Sequence, residues 1–219
     1  MIRIITMERE YGAGGSAIAL KLAEQLKWKL WDEALTAEIA RLANCDQHSI
    51  ARLEERVDPL FYRLMKVFMR GSHERSLPVN GLENLDADSM VVFMQRVIER
   101  AAVAGDCVIV GRGAPYLLRN RPDAFHVFVY APIEEKIRRV RNLGKTQAEA
   151  VELVDAIDQE RATFVKKYFG KDWPSRQLYH LMINSAVGDD VVVRTILDAM
   201  ATLDQAKSKA ASEPGVALL

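Results

Sequence analysis

The chain has 219 residues, of which 49% are hydrophobic and 27% charged, as is usual for a globular protein. Thirty basic and thirty acidic residues cancel, so no excess of positive charge favours nucleic acid as the main partner. No apolar run reaches the roughly 18 residues that a membrane-spanning helix needs, so we expect no membrane association. The length predicts a single domain with room for a small inserted subdomain.

The two cysteines and the N-terminus both favour a cytoplasmic protein. Cys45 and Cys107 are far apart and match no metal-binding spacing, so we interpret them as reduced structural residues. The N-terminus enters an apolar strand-like run almost at once, so no signal peptide is visible.

The first elements in the chain surround a glycine-rich segment. An apolar run at about 2–7 predicts a strand, and apolar residues at helical spacing predict a helix at about 15–27. Gly-Ala-Gly-Gly-Ser lies between them, at residues 12–16. A strand, a glycine loop and a helix form the setting in which backbone N–H groups surround phosphates. The alternative is a tight turn that binds nothing.

The glycine loop departs from the Walker pattern of Gly, four residues, Gly, Lys and Ser or Thr. Gly14 can serve as the second glycine and Ser16 as the hydroxyl on the magnesium side. Arg9 stands where the first glycine belongs, and Gly15 stands where the lysine belongs. Any nucleotide-binding function must therefore replace the charge of the missing lysine.

A short strand at about 29–31 follows and ends at Asp32, before a helix at about 33–43. Pro59 precedes a predicted amphipathic helix at 60–69. We expect its apolar residues to pack in the core or to form a partner-binding face. Asp86 or Asp88 can cap the next helix, which reaches about residue 104.

The second half of the chain continues this alternation. Strands are predicted at about 107–110, 125–130 and 179–183, and helices at about 133–142, from Thr146 to about Phe169, and from Asp189 or Asp190 onward. Thr146 and Glu149 form a capping-box pattern. The segment 207–219 lacks helical periodicity and predicts a frayed tail.

Strands that alternate with helices predict a parallel sheet covered by helices on both faces. Ligands of such sheets bind beyond the carboxyl ends of the strands. That rule brings the glycine loop, Asp32, the Gly111-Arg112-Gly113 turn and the loop after Tyr130 to one edge.

Several stretches of the sequence together resemble the cytidylate kinase-like proteins, which are relatives of bacterial cytidylate kinases among the P-loop nucleoside monophosphate kinases. The stretches are TMEREYGAGGSAIALKLAEQL, KLWDEAL, VIVGRGAPYLL, VFVYAPIEEKIRRV, IDQERATFVKKYFGKDW and YHLMINS. The resemblance covers about residues 2–200.

The resemblance implies a three-layer α/β P-loop NTPase fold with about five parallel strands. It implies one domain over residues 1–206, with a helical monophosphate-binding insertion at 45–90, a lid at 138–175 and a flexible tail at 207–219. The implied activity is transfer of the γ-phosphate of Mg·ATP to a nucleoside monophosphate, most plausibly CMP or dCMP.

Within that scheme the phosphate site consists of Tyr11, Gly12, Ala13, Gly14, Gly15 and Ser16. Ser16 would face Mg²⁺, although serine is also favoured near any helix N-terminus. Asp32 could hold Mg²⁺ through water or orient the acceptor, and it could equally cap the helix that follows. Arg9 could replace the charge of the lysine, or it could form an ion pair with Glu10 or Asp32.

Arginines are the remaining candidate catalytic residues. Arg112 could bind the acceptor phosphate through two hydrogen bonds, as an arginine in a matching turn does in the related kinases, or it could fix a loop. Arg138 and Arg161 are the favoured lid arginines, with Arg139 and Arg141 less favoured, and the alternative for all of them is a solvated helix face.

Two other functions remain open. A nucleotide-binding regulatory protein with little turnover would explain the missing lysine, and the apolar helix at 60–69 could then bind a partner or form a homodimer. A kinase with a different small acceptor is the third hypothesis. The retained arginines favour a kinase, because a simple binding protein has no need of several lid cations.

Overall fold

The computed structural model describes residues 1–41, except 33, 36 and 40, and residues 87–212. Its strands are β1 (Ile4–Arg9), β2 (Lys29–Trp31), β3 (Cys107–Val110), β4 (Ala124–Tyr130) and β5 (Leu181–Asn184). Its helices are α1 (Gly15–Leu26), α2 (Ala87–Ala104), α3 (Ala114–Leu117), α4 (Ile133–Arg141), α5 (Gln147–Phe169) and α6 (Asp189–Ser212). Short 3₁₀ turns lie at Arg176–Leu178 and Ser185–Val187.

The five described strands form one parallel sheet in the order β2-β3-β1-β4-β5. Strands β2 and β3 lie on one side of β1, and β4 and β5 lie on its other side, so the strand order reverses at β1. This is the point of an open α/β sheet at which ligands bind. The predicted α/β fold with a parallel sheet is therefore confirmed.

The strands are apolar on both faces because both faces are covered by helices. Ile4 and Ile109 pack into a core under α2 and α5, whereas Ile5 and Val108 pack into a second core under α1 and α6. Side chains of successive strand residues point to opposite faces, which explains why neighbouring residues join different cores.

The capping box predicted at the start of the long helix α5 is present. The Thr146 hydroxyl accepts a hydrogen bond from the Glu149 amide, and the Glu149 carboxylate accepts one from the Thr146 amide. The hydrogen bonds that the Thr146 amide and hydroxyl donate to the Glu149 carboxylate lower the pKa of Glu149. The box starts the helix that carries Asp158 and Arg161 into the site.

Two element boundaries differ from the sequence-based prediction. Strand β1 continues through Glu8 and Arg9, because these buried residues pair with Phe128 and Val129 of β4. Helix α6 continues to Ser212, into the predicted tail at 207–219, where alanine and lysine are good helix formers. The remainder of that tail lies outside the described residues.

The predicted insertion at 45–90 lies mostly outside the described residues, and so does the apolar helix at 60–69. The described residues between 34 and 41 are helical, in agreement with the helix predicted after Asp32. Within the described part of the chain, no helix is long and apolar enough to cross a membrane.

Candidate functional site

The glycine loop connects β1 to α1 at the carboxyl edge of the sheet. Gly12 and Gly14 have φ angles of 77° and 76°, which favour glycine. Gly14 is the N-cap of α1, and no side chain caps the helix. The loop therefore presents the positive end of the α1 dipole, where an anion would be stabilised.

Helix α4 packs directly on this loop. A Cβ atom at Gly12 would lie 2.8 Å from the Lys136 carbonyl oxygen. Tyr11 packs on a small apolar cluster between α4 and α5 that contains Val140, Ala150 and Val154. Helices α4 and α5, which carry the start and the middle of the predicted lid region, thus both contact the loop.

Gly15 occupies the lysine position, and its packing explains why no side chain stands there. A Cβ atom at Gly15 would lie 2.8 Å from Cβ and 2.7 Å from Cγ of Arg9. These separations are shorter than van der Waals contact. The stem of Arg9 therefore fills the space into which a side chain at position 15 would project.

Arg9 is the last residue of β1 rather than a residue of the loop, which corrects the sequence-based prediction. Only 6% of the residue is exposed. Its guanidinium lies against Gly111, next to the turn that carries Arg112. Arg9 thus crosses from the glycine loop towards the carboxyl end of β3.

A second buried arginine fixes the end of β1 from the opposite side. Arg161 Nη1 donates hydrogen bonds to the Arg9 carbonyl oxygen at 2.8 Å and to Asp158 Oδ1 at 3.2 Å. Burial, and then the positive charge of Arg9, lower the pKa of Arg161 to about 10, so it remains charged at neutral pH. The predicted site residue Arg161 therefore touches the backbone of the glycine loop's entry strand.

Asp158 ties α5 to the loop. Its Oδ1 accepts a hydrogen bond from the Tyr11 amide at 2.7 Å, and its Oδ2 lies 3.3 Å from Lys136 Nζ. Lys136 Nζ also lies 3.1 Å from Glu10 Oε2. Burial raises the pKa of Asp158, and the charge of Arg161 opposes that effect. A lysine does lie beside the glycine loop, but it comes from α4.

Arg112 and Asp32 form a buried ion pair between the carboxyl ends of β3 and β2. Arg112 Nη1 lies 3.1 Å from Asp32 Oδ1 and 3.0 Å from the Val110 carbonyl oxygen. Only 2% of Arg112 is exposed, and its φ angle is 57°. Burial lowers the pKa of Arg112, whereas the charge of Asp32 raises it.

Glu8 is a buried carboxylate at the same edge, and sequence reasoning overlooked it. Its Oε1 accepts a hydrogen bond from the Gly113 amide at 3.1 Å, which fixes the turn around Arg112. Glu8 also opposes the loss of charge that burial imposes on Arg112 and Arg161. An acidic residue in an otherwise apolar strand is the sequence signal that could have identified it.

The predicted site residue Arg138 and the less favoured Arg139 lie on different sides of α4. The side chain of Arg138 is 62% exposed and pairs with Glu135 on the helix surface. Arg139 instead donates to the carbonyl oxygens of Ala13 and Ser185, each at 3.1 Å. The 3.6-residue period separates Arg138 from Arg139 and Lys136 on the helix surface, but only the packing of α4 shows which side faces the loop.

Arg139 also contacts Glu135 and Asp189, so one guanidinium joins α4, the glycine loop and the start of α6. The Ser185 hydroxyl adds a hydrogen bond to the Ala13 carbonyl oxygen at 2.7 Å. A Cβ atom at Gly14 would collide with the Arg139 guanidinium. Arg139 is thus the arginine of α4 that lies over the predicted phosphate position.

Ser16 and Asp32 were predicted to serve a magnesium ion. Ser16 is half-buried in the first turn of α1, and Asp32 is buried beside Arg112. A hydroxyl and a carboxylate are oxygen donors of the kind that Mg²⁺ prefers, and Mg²⁺ usually keeps several waters. Among the described residues, no group of three or more His, Cys, Asp and Glu side chains is arranged around a common point.

Two solved structures are similar to this chain over most of its length. A crystal structure of an uncharacterized protein from Eubacterium ventriosum is similar, with a TM-score of 0.66 and 21% identity over 92% of this chain and 99% of that one. Shikimate kinase from Acinetobacter baumannii in complex with shikimate has a TM-score of 0.51 and 14% identity over 92% of this chain and 94% of that one. At these identities the likenesses show the fold alone, which this chain shares with both proteins.

The model of the cytidylate kinase-like family matches residues 4–187, so the chain belongs to that family. Membership of this family supports a phosphoryl-transferring activity. No curated protein sequence matches the chain significantly.

The packing of Arg9 on Gly15 gives a testable prediction. Gly15→Ala should destabilise the protein by about 1–3 kcal/mol, because the added methyl group overlaps the stem of Arg9. In an Arg9→Ala background the same change should cost much less or even stabilise, since alanine is the better helix former. Urea unfolding of the four proteins of this double-mutant cycle measures the coupling. Equal effects of Gly15→Ala in both backgrounds would contradict the conclusion that the Arg9 stem fills the space beside position 15.

Proposed function

We propose that the protein transfers the γ-phosphate of Mg·ATP to a nucleoside monophosphate, with CMP or dCMP as the acceptor. The observation that carries the proposal is the convergence of Arg9, Arg112 and Arg161 beside a glycine loop at the carboxyl edge of the sheet. Phosphoryl transfer needs positioning and positive charge around the transferring group more than covalent chemistry by the protein.

The donor phosphates would bind the backbone N–H groups of residues 12–16 at the N-terminus of α1. Mg·ATP supplies the phosphoryl group and the charge of the metal, with Ser16 and Asp32 as its nearest oxygen donors. Arg9 supplies the fixed charge that a lysine at position 15 would otherwise provide. This substitution is consistent with the contact between Arg9 and Gly15.

Arg139 would also contribute on the donor side, in place of the predicted Arg138. Its guanidinium already lies over Gly14, and its bonds to Ala13 and Ser185 go to carbonyl oxygens that a charged phosphate can outcompete. Its bonds to Glu135 and Asp189 would have to rearrange for its N–H groups to turn towards the β- and γ-phosphates. Arg138 has no such position.

The acceptor phosphate would bind at Arg112. A guanidinium can offer paired N–H groups to two phosphate oxygens, while Asp32 accepts a hydrogen bond from Arg112 Nη1 and Glu8 fixes the turn that carries Arg112. Because Arg112 is 2% exposed, the acceptor phosphate would reach it only after a local opening of this edge. No protein base is required if the nucleophile is a phosphate oxygen, because that oxygen is already ionised at neutral pH. The choice of cytosine as the nucleobase of the acceptor rests on the resemblance to cytidylate kinases.

A second candidate function is nucleotide binding with little turnover. Two observations favour it. Position 15 carries no lysine, and the Tyr11 amide, one of the N–H groups of the loop, donates to Asp158 instead of facing a phosphate. The decisive experiment measures ADP release from Mg·ATP by the purified protein, over CMP, dCMP, UMP, AMP, GMP and shikimate. We expect turnover with CMP and dCMP above the rate of ATP hydrolysis. ATP binding without ADP release with any acceptor would favour the binding function, and turnover with shikimate alone would change the acceptor.

Gly14→Ala tests the glycine loop. The added methyl group meets the Arg139 guanidinium and the φ angle of 76° disfavours alanine, so Mg·ATP should bind at least about tenfold more weakly. Gly144→Ala is the matched control, since Gly144 has a φ angle of 89° and open space around it. Calorimetric titration measures both affinities. A similar loss in the two variants would argue against a phosphate site at this loop.

Arg112→Lys tests the acceptor site. The lysine keeps a positive charge beside Asp32 but loses the paired geometry, so KM for the acceptor should rise by about tenfold. The affinity for Mg·ATP should stay nearly unchanged. Arg176→Lys, at an exposed site outside the carboxyl edge, serves as the control. Equal damage to the use of both substrates would indicate a structural role for Arg112.

A further inference from the structure

A second cleft lies on the face of the sheet that α2 and α5 cover, towards the amino ends of β4 and β5. His126 is the third residue of β4, and His180 immediately precedes β5, so both lie away from the carboxyl edge that carries the glycine loop. The cleft has a volume of about 620 Å³, which is within the roughly 300–1,000 Å³ usual for small-molecule sites. Phosphoryl transfer at the glycine loop makes no use of it.

Aromatic rings form the inner wall of this cleft. Tyr116 stacks on Phe169 with ring centroids 5.1 Å apart and an angle of 16° between the planes. Tyr168 also lines the cleft beside Phe169, and both of these rings are half-buried. A planar ring can stack on such a surface with little loss of side-chain freedom, because the rings already hold each other.

The rim of the cleft carries hydrogen-bond donors and positive charge. Arg119, Asn120, Lys171 and Gln177 are exposed there, and none of the described residues that line the cleft is acidic. Lys207 lies close enough to lower the pKa of both His126 and His180, although burial is the larger cause in each case. The electrostatic field at the rim therefore favours an anion.

His180 adds a directed donor. Its Nδ1 accepts a hydrogen bond from the His126 amide at 2.9 Å, and its own amide donates to the His126 carbonyl oxygen at 2.8 Å. A neutral imidazole that accepts at Nδ1 carries its proton on Nε2. The ring is stacked between Phe125 and His126, with centroids 5.4 Å and 5.1 Å away, so its position is fixed.

We propose that this cleft binds a small aromatic anion, a planar ring that carries a carboxylate or a phosphate. The ring stacks on the wall formed by Tyr168 and Phe169, and the anionic group meets Arg119, Lys171 and the Nε2–H of His180. Phe169 also packs against Gly113, next to Arg112, so the occupant would touch a ring that contacts the acceptor turn. The inference does not depend on the proposed phosphotransfer activity.

The test is a titration of ¹⁵N-labelled protein followed by amide chemical shifts. Phenyl phosphate and 4-hydroxybenzoate are the two probes, and they distinguish a phosphate from a carboxylate as the preferred anion. Inorganic phosphate and benzyl alcohol are the controls, since each carries only one half of the proposed ligand. We expect saturable shifts at Lys171, Gln177 and His180 with at least one probe, and much weaker binding of both controls.

Charge-neutralising variants on the rim complete the test. Arg119→Gln and Lys171→Gln should each weaken binding by about tenfold, because each removes a charge-assisted contact. Arg176→Gln is the matched control: Arg176 is exposed in the same segment but does not line the cleft. Its affinity should stay within about twofold of the parent protein, since an isolated surface charge contributes little.

Three results would overturn the proposal. The first is shifts confined to the glycine loop at Gly12 and Gly14, the second is unchanged affinity in Arg119→Gln and Lys171→Gln, and the third is equally tight binding of inorganic phosphate or benzyl alcohol. Arg119 also donates a hydrogen bond to the Tyr116 carbonyl oxygen, so thermal unfolding of each variant is measured in parallel. A loss of binding at an unaltered unfolding temperature is assigned to the cleft.

Discussion

The site depends on keeping several guanidinium groups charged while they are buried. A buried charge is costly unless it is paired and hydrogen-bonded. Here the partners are specific: Asp32 for Arg112, Asp158 for Arg161, and Glu8 between them. Because each partner comes from a different strand or helix, the cluster forms only when β1, β2, β3 and α5 are in place.

The cluster also accounts for the unusual glycine loop. A P-loop lysine extends from the first residues of the helix and delivers one charge to the phosphates. In this protein the stem of Arg9 crosses that space and rests on Gly15. A cation that begins on β1 is held by the sheet, so its position is fixed before any ligand binds. If the proposed function holds, such preorganisation would provide the electrostatic stabilisation that a transferring phosphoryl group requires.

The closed contacts over the loop have a consequence for binding. Arg139 and Ser185 hydrogen-bond to the Ala13 carbonyl oxygen, and Asp158 takes the Tyr11 amide. A nucleotide that binds at the loop as proposed would exchange some of these protein contacts for its own. Phosphate oxygens make charge-assisted hydrogen bonds to arginine, which are stronger than the bonds to carbonyl oxygens that they would replace.

The order of elements, the parallel sheet, the glycine loop and the capping box could all be predicted from the sequence, because each of these follows from periodicity or from a motif within a short stretch of chain. Arg9, Arg112 and Arg161 could be singled out in the same way. The packing was needed to show that Arg9 ends β1, that Arg139 rather than Arg138 reaches the loop, and that Glu8, Lys136 and Asp158 lie at the candidate site. These contacts join residues far apart in the chain, and their geometry is set by strand pairing and helix packing, which no local pattern encodes.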